Sequence, residues 1–207
     1  MKCVIFAGGE IKDFGFIDTS ELSQNFVICA DSGYKYAKKL GIVPDIIMGD
    51  FDSYTGRLPE NIEIYRSIPE KDDTDTMLAV KTAISRGFTE IVLYGALGKR
   101  FDHAFANIQS LVYAHENGCA ISILDSDNEI TVQGAGEKDY LKREGWYFSI
   151  FALTDTAVIG RYSGVKYPLE NYLLKSSFPI GVSNEITADK AVLQLDSGLI
   201  LVVRSKM

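Results

Sequence analysis

Short apolar segments alternate with helical patterns over the first part of the chain. Segments rich in β-branched residues predict six strands, at Lys2–Ala7, Phe26–Ala30, Asp45–Met48, Glu63–Arg66, Ile91–Tyr94 and Ala120–Leu124. Apolar residues at helical spacing between them predict helices at Tyr34–Leu40, Thr74–Arg86 and His103–Glu116. Strands and helices that alternate in this way are typical of βαβ units and a mostly parallel sheet.

The pattern changes near Asn128 to short alternating segments separated by Gly, Asp, Asn and Ser. The segments are Glu129–Gln133, Trp146–Ala152, Thr156–Ile159, Ala191–Leu195 and Leu199–Val203. They predict a small antiparallel β-sandwich or barrel. Glu170–Lys175 is predicted to form a short helical turn. The polar turn Asp125–Asn128 marks a domain boundary, which divides the chain into residues 1–127 and 128–207.

The composition of the 207 residues, 24% charged and 46% apolar, is that of an ordinary globular protein. The formal net charge of -7 provides no basic surface for nucleic acid or an anionic membrane, so we expect neither partner. The first apolar run is too short for a secretion signal or a membrane span, which predicts a cytoplasmic protein. Cys3, Cys29 and Cys119 lie in apolar segments and are predicted to be buried free thiols.

Acidic residues follow two of the predicted strands. Asp31 comes after the second strand, and Asp50 and Asp52 come after the third. Ligands of open α/β sheets bind beyond the carboxyl ends of the strands, so we expect these carboxylates to converge. In an extended chain the Cα atoms of Asp50 and Asp52 lie about 6.6 Å apart, close enough to bracket one or two cations. Alone, the Asp-x-Asp pair also fits an Asp-rich turn.

A second acidic cluster, Lys71-Asp72-Asp73-Thr74-Asp75, precedes a predicted helix. Asp73 or Thr74 can cap that helix, and Asp75 suits the positive end of its dipole. Three aspartates within four positions exceed what one cap needs. Lys71 adds a cation that could face phosphate oxygens.

A glycine-containing loop, Gly95-Ala96-Leu97-Gly98-Lys99-Arg100-Phe101-Asp102-His103, joins a buried strand to a helix. Glycines allow the backbone to approach a ligand, and Arg100 can donate two hydrogen bonds to phosphate. Alternatively, Asp102 is only the cap of the helix and His103 an ordinary residue of its first turn. The sequence contains no Walker motif. Carboxylates, an arginine and a lysine at strand ends together suit phosphoryl or diphosphoryl transfer.

In order and spacing, these motifs resemble those of the thiamine pyrophosphokinase family. The matching segments are Ala30-Asp31-Ser32-Gly33, Pro44-Asp45, Gly49-Asp50-Phe51-Asp52-Ser53, Lys71 to Asp75, Gly95 to His103, and Ser183-Asn184-Glu185. The resemblance covers almost the whole chain. It implies an N-terminal Rossmann-like α/β domain, a C-terminal β-sandwich, and a homodimer with active sites between subunits.

The resemblance also implies the reaction: the terminal diphosphate of ATP passes to the hydroxyl of thiamine, and AMP leaves. Mg²⁺ would be held by Asp50, Asp52 and Asp75. The residues implied around ATP and the reacting diphosphate are Asp31, Lys71, Thr74, Gly95, Gly98, Lys99, Arg100, Asp102 and His103. Ser183 and Asn184 would reach from the partner subunit toward thiamine. Either Asp75 or Asp102 could accept the proton of the hydroxyl.

The sequence departs from the family pattern at several positions. Ser32 and Lys99 stand where glycine is frequent, and the last strand lacks the tryptophan that some members stack on thiamine. Trp146, the single tryptophan, is expected in the core of the sandwich. Two alternatives remain open: a metal-dependent glycosyltransferase that uses Asp50 and Asp52, and a non-catalytic sensor of thiamine or nucleotide.

Overall fold

The computed structural model describes residues 1–49, 59, 61–66, 73–98 and 100–207. These residues form two compact units, Met1–Ser126 and Asp127–Met207. The first unit contains a sheet accompanied by helices, and the strand pairs of the second unit are antiparallel. Within the described ranges, no helix is both long and apolar enough to span a membrane.

The strands described in the first unit form a parallel sheet. They are β1 (Lys2–Phe6), β2 (Phe26–Ala30), β3 (Ile46–Gly49), β4 (Glu63–Arg66), β5 (Glu90–Tyr94) and β6 (Ala120–Leu124). They lie in the order β4-β3-β2-β1-β5-β6, and every neighbouring pair is parallel. The chain therefore proceeds outward from β1 to β4 and then returns to the other side of β1 with β5. A strand order that reverses in this way opens a crevice at the carboxyl ends of β1 and β5.

The helices described in this unit are α1 (Thr19–Leu22), α2 (Tyr34–Lys39), α3 (Asp75–Ser85) and α4 (Phe101–Glu116). Helix α3 contacts β1, β2 and β3 and packs against α4, which also contacts β6. Helix α4 begins two residues earlier than predicted, because the extended backbone ends at Arg100. Helix α1 was not predicted, since four residues are too few to show a helical period. Asp18 caps it by accepting hydrogen bonds from the N–H groups of Ser20 and Glu21.

Burial on both faces explains the apolar strands of this sheet. All residues of β1 from Cys3 to Phe6 are buried. The three cysteines are buried free thiols, as predicted. Burial raises the pKa of the Cys3 thiol to about 12, so this thiol stays protonated and unreactive at neutral pH.

The second unit contains two sets of antiparallel strands. The strands are β7 (Asn128–Gln133), β8 (Gly136–Leu141), β9 (Trp146–Ala152), β10 (Thr156–Ser163), β11 (Leu169–Lys175), β12 (Lys190–Ser197) and β13 (Ile200–Lys206). Strand β13 pairs with β7 and β9, and the other four strands form a sheet in the order β11-β10-β12-β8. Buried residues of both sets share one core. Within it the Tyr162 hydroxyl donates a 3.0 Å hydrogen bond to the carbonyl of Phe148.

Two outer strands of the four-stranded sheet differ from the sequence prediction. The helical turn predicted at Glu170–Lys175 is wrong, because this segment is strand β11 and pairs with β10. Most of this outer strand is exposed, with Leu174 its buried residue, so no alternation of buried apolar residues marks it as a strand. Strand β8 was not predicted, since Tyr140 is its one buried residue and leaves no apolar alternation to detect.

The predicted core position of Trp146 is also wrong. Its side chain is half-buried at the start of β9 and lies outside the buried core cluster. The Arg143 guanidinium lies 5.3 Å and the Lys206 ammonium 5.9 Å from the centre of the indole ring. Two cations over a large aromatic face make a partly exposed position favourable.

Candidate functional site

Glycines join the loops that follow β1 and β5. The Gly9 N–H donates a 2.8 Å hydrogen bond to the carbonyl of Gly95. A Cβ on Gly9 would lie only 2.3 Å from that carbonyl oxygen, and a Cβ on Gly98 would lie 3.1 Å from Gly9 Cα. Gly95 itself has φ +66°, a conformation that favours glycine. The loop predicted to approach phosphate is therefore packed against the end of β1, at the crevice where the strand order reverses.

The loop that follows β1 also contacts the segment that follows β2. Asp31 has φ +51° and begins a single 3₁₀ turn, Asp31–Gly33. A Cβ on Gly8 would lie 2.5 Å from Asp31 Oδ2. The Ser32 hydroxyl donates a 3.2 Å hydrogen bond to the Gly8 carbonyl. A left-handed backbone at a residue other than glycine is uncommon and often occurs at functional sites.

Sequence reasoning missed Gly8 and Gly9, which fix this arrangement. Two adjacent glycines directly after a buried strand were the available signal. Tyr36 adds to their support, because its hydroxyl donates to the Gly9 carbonyl (2.6 Å) and accepts from the Ile11 N–H (3.1 Å).

Gly49, the last residue of β3, lies close to residues of two of the acidic segments. A Cβ on Gly49 would lie 3.1 Å from Asp31 Cα and 3.7 Å from Asp75 Oδ2. Residues predicted from two separate motifs thus come together at the carboxyl end of β3. Between residues 1 and 207, leaving out the positions that the structure does not describe, no group of three His, Cys, Asp or Glu is arranged to hold a metal. The predicted site residues outside the described ranges are Asp50, Asp52, Lys71 and Lys99.

The start of α3 separates the roles of three neighbouring residues. Thr74 caps the helix, since its Oγ1 accepts a 3.2 Å hydrogen bond from the Met77 N–H. Asp73 accepts hydrogen bonds of 2.8 and 2.7 Å from the Lys81 ammonium, one on each carboxylate oxygen. Asp75 stands in the first turn of the helix. Capping and ion pairing thus account for Thr74 and Asp73, and Asp75 is the carboxylate that faces β3.

Arg100 and Asp102 form a two-point ion pair at the start of α4. Arg100 Nε lies 3.2 Å from Asp102 Oδ1, and Nη2 lies 2.6 Å from Oδ2. Asp102 also accepts a 2.9 Å hydrogen bond from the His103 N–H. The bond from Arg100 lowers the pKa of Asp102 to about 2. Both side chains are exposed, so Arg100 can exchange this carboxylate for another anion.

Ser183 and Asn184 lie in the second unit, in the segment that precedes β12. Ser183 is exposed and has φ +55°. Asn184 is only 3% exposed. Its Oδ1 accepts hydrogen bonds from the N–H groups of Tyr167 (3.0 Å) and Glu185 (2.9 Å). The two neighbours therefore differ sharply in their access to a ligand.

Comparison with known proteins covers both units. A family model described as the thiamin pyrophosphokinase catalytic domain matches residues 19–123, and one described as the thiamin pyrophosphokinase vitamin B1 binding domain matches residues 127–200. The chain belongs to the thiamine pyrophosphokinase family.

Individual members of the thiamine pyrophosphokinase family are similar along most of their length. The Thiamine pyrophosphokinase of Bacillus subtilis (strain 168) is 30% identical over 186 residues, which are 86% of this chain and 86% of that protein. The Thiamin pyrophosphokinase 1 of Caenorhabditis elegans is 30% identical over 166 residues, 76% of this chain and 68% of that protein. A crystal structure of thiamine pyrophosphokinase from Bacillus subtilis has a TM-score of 0.90 and 28% identity, and covers 100% of this chain and 99% of that one.

The family model for the catalytic domain spans every predicted site residue of the first unit, from Asp31 to His103. The match begins after Gly8 and Gly9, so it does not include them. The close packing of the strand ends is what identifies these two residues as part of the site. The glycosyltransferase and sensor alternatives find no support, because models of the thiamine pyrophosphokinase family match both units.

Proposed function

We propose that this chain transfers the terminal diphosphate of ATP to the hydroxyl of thiamine and releases AMP. The observation that carries the proposal is the match of both units to the two domains of one family. The meeting of Asp31, Gly49 and Asp75 at adjacent strand ends supports it, because carboxylates near a strand-end crevice suit a phosphate-bound metal.

We assign a separate role to each part of the chain. Residues 1–127 would form a Rossmann-like domain that binds ATP and metal, and residues 128–207 a β-sandwich that binds thiamine and dimerises. The strand order of the first unit and the shared core of the two strand sets in the second support this division. We further propose a homodimer in which Ser183 and Asn184 of one subunit serve the active site of the other. Buried free thiols fit a reducing compartment, the cytoplasm.

Mg²⁺ is the metal that the donor set suits, with Asp50, Asp52 and Asp75 as its ligands. Carboxylate oxygens are hard ligands, and Mg²⁺ typically binds one or two of them together with substrate phosphates. Asp75 is near the end of β3, since a Cβ on Gly49 would lie 3.7 Å from Asp75 Oδ2, an ordinary contact distance. When bound, the ion neutralises charge on the β- and γ-phosphates of ATP.

Arg100 and Asp102 would act as a pair during binding. Arg100 pairs with Asp102 in the free chain and is exposed enough to turn toward phosphate oxygens. While Arg100 is paired with it, Asp102 holds the guanidinium in place. When Arg100 turns to phosphate, the main cause of the low Asp102 pKa is removed, so either Asp75 or Asp102 would receive the proton of the thiamine hydroxyl. We group Lys71, Thr74, Gly95, Gly98, Lys99 and His103 with Asp31 around the nucleotide.

The test is to incubate the purified protein with ATP, Mg²⁺ and thiamine and to separate the products by chromatography. AMP and thiamine diphosphate, both absent without thiamine or with EDTA, are the expected products. ADP would instead indicate a monophosphate kinase, and thiamine binding without any nucleotide product would indicate a sensor.

A variant sharpens the test of the metal ligands. Asp52→Asn should lose activity at limiting Mg²⁺, because one carboxylate of the metal site becomes a neutral amide. Asp155→Asn is the matched control, since it makes the same change at an exposed residue of the second unit. Equal activity of the two variants at limiting Mg²⁺ would remove Asp52 from the metal site.

A further inference from the structure

The segment around Ser183 runs along the outer edge of β9 and pairs with it at two points. The Phe148 N–H donates a 2.7 Å hydrogen bond to the carbonyl of Asn184, and the Ile150 N–H donates a 3.0 Å bond to the carbonyl of Gly181. A span of two residues in β9 therefore matches a span of three in the turn. The turn contains one residue more than the span of β9 that it faces, an irregularity that resembles a β-bulge and that redirects the chain.

The backbone of Ser183 accommodates this extra residue. It takes the left-handed conformation, with φ +55°, which is costly for a residue other than glycine. Its N–H turns toward β9 between the two paired positions, and the Ser149 hydroxyl accepts a 2.9 Å hydrogen bond from it. Ser149 is 7% exposed and belongs to β9. A side-chain oxygen thus takes the place that a backbone carbonyl would hold in a regular strand pair.

The side chain of Asn184 fixes the residue that follows Ser183 through hydrogen bonds. Its Oδ1 accepts from the N–H groups of Tyr167 and Glu185, and its Nδ2 donates a 2.9 Å hydrogen bond to the Tyr167 carbonyl. Both ends of the amide are engaged within the chain, and the residue is 3% exposed. Ser183 is exposed, and its hydroxyl can both donate and accept.

We propose that Ser149 and Asn184 are positioning residues, which hold the exposed Ser183 hydroxyl in the orientation that contacts thiamine. The inference rests on the proposed function, and it changes the expected role of Asn184 from a contact with thiamine to a support. Ser149 acts on thiamine only through Ser183. A turn fixed on both sides reduces the ordering that thiamine binding must otherwise bring about.

The first test is Ser149→Ala, with the kinetics of thiamine and ATP measured separately. We expect the KM for thiamine to rise about tenfold, the equivalent of ~1.4 kcal/mol and the upper range for one hydrogen bond. The kcat at saturating thiamine and the KM for ATP should stay within about twofold. Ser149→Thr retains the hydroxyl and should restore the KM.

Ser110→Ala is the matched control. Ser110 is fully buried in α4, and its hydroxyl donates a 3.2 Å hydrogen bond to the Ala106 carbonyl of the same helix. This variant also loses a buried hydroxyl, but it leaves β9 intact. If the thiamine KM rose equally in Ser110→Ala and Ser149→Ala, the rise would reflect general destabilisation of the protein. That result would overturn the proposal.

A double-mutant cycle separates positioning from direct contact. If Ser149 acts through Ser183, then Ser149→Ala should add less than about twofold to the KM of Ser183→Ala. Effects that multiply in full would mean that Ser149 contributes independently, which contradicts the proposal. Thiamine binding by calorimetry accompanies the kinetics. Wild-type protein that neither binds nor converts thiamine would overturn both proposals, whereas active wild type with an unchanged KM in Ser149→Ala would overturn only this one.

Discussion

Replacing Gly33 with alanine tests whether tight backbone packing holds the carboxyl end of the first sheet in place. Gly33 ends the 3₁₀ turn that begins at Asp31, and it lies against the carboxyl end of β1. A Cβ on Gly33 would lie 2.0 Å from the Phe6 carbonyl oxygen and 2.6 Å from the Phe6 carbonyl carbon. Because these are backbone atoms of a buried strand, no side chain can rotate away to make room.

The magnitude follows from two opposing terms. Gly33 has φ -58° and ψ -25°, a conformation open to alanine, so the loss of chain freedom in the unfolded state favours alanine by about 0.4–1 kcal/mol. To reach ordinary contact, the turn and β1 must separate by about 1.4 Å. Overpacking of this kind costs about 1–3 kcal/mol. We expect a net loss of about 1.3 kcal/mol, or a fall in Tm of about 3–5 °C for a chain of this size.

The same displacement moves Asp31, and a shift of about 1 Å at a reacting site can reduce activity about 100-fold. The assays are thermal unfolding by circular dichroism and kcat/KM for ATP. Gly15→Ala is the control: Gly15 is exposed, and its nearest neighbour would be an Asp13 side-chain oxygen at 3.3 Å. Wild-type melting and ATP kinetics in Gly33→Ala would refute the packing argument. Lost stability with normal ATP kinetics would refute the link to Asp31.

Three further predictions concern individual groups. Ellman's reagent should label none of the three thiols in the native protein and all three after unfolding, because burial protects them and raises the pKa of Cys3 to about 12; rapid native labelling would contradict this. Arg100→Gln should raise the Asp102 pKa from about 2 toward 3.8, measured by carboxyl NMR. Because the Asp102 pKa is lower in the folded chain than in the unfolded chain, the ion pair stabilises the fold above about pH 4. This stabilisation is lost as the pH falls through about 2. Lys81→Met should leave the free energy of unfolding nearly unchanged in urea denaturation, because the ion pair with Asp73 is about one-third exposed and solvent screens it; a clear loss of stability would contradict this.

The sequence predicts the strands of the first unit well because most of them are buried on both faces. The outer strand β4 is largely exposed and is nevertheless predicted. Strands β2, β4 and β6 lie at their predicted bounds, and the other three strands of this unit differ by one residue at one or both ends. Outer strands of the second unit carry a weaker signal, since most of β8 and β11 is exposed. There, pairing with a neighbouring strand decides the conformation, and that pairing depends on residues far away in the chain.

Some features of the candidate site could likewise be predicted from the sequence, and others could not. Acidic motifs at strand ends and helix starts could be predicted to converge, and Asp31 and Asp75 both lie beside Gly49. Engagement of a polar group by a distant partner could not be predicted. Lys81 occupies Asp73 from two turns along α3, and the backbone of Tyr167 occupies the amide of Asn184. In both cases the sequence identifies a polar residue, and only the fold shows which atoms remain available to a ligand.

The position of Trp146 makes the two units spectroscopically distinguishable. It is the single tryptophan of the chain, and it lies in the second unit between the cations of Arg143 and Lys206. Its emission therefore reports on the second unit, whereas the α-helices of the described residues, and with them most of the helical dichroism, belong to the first. Recording both signals along one denaturant series would show whether the units unfold together or in succession.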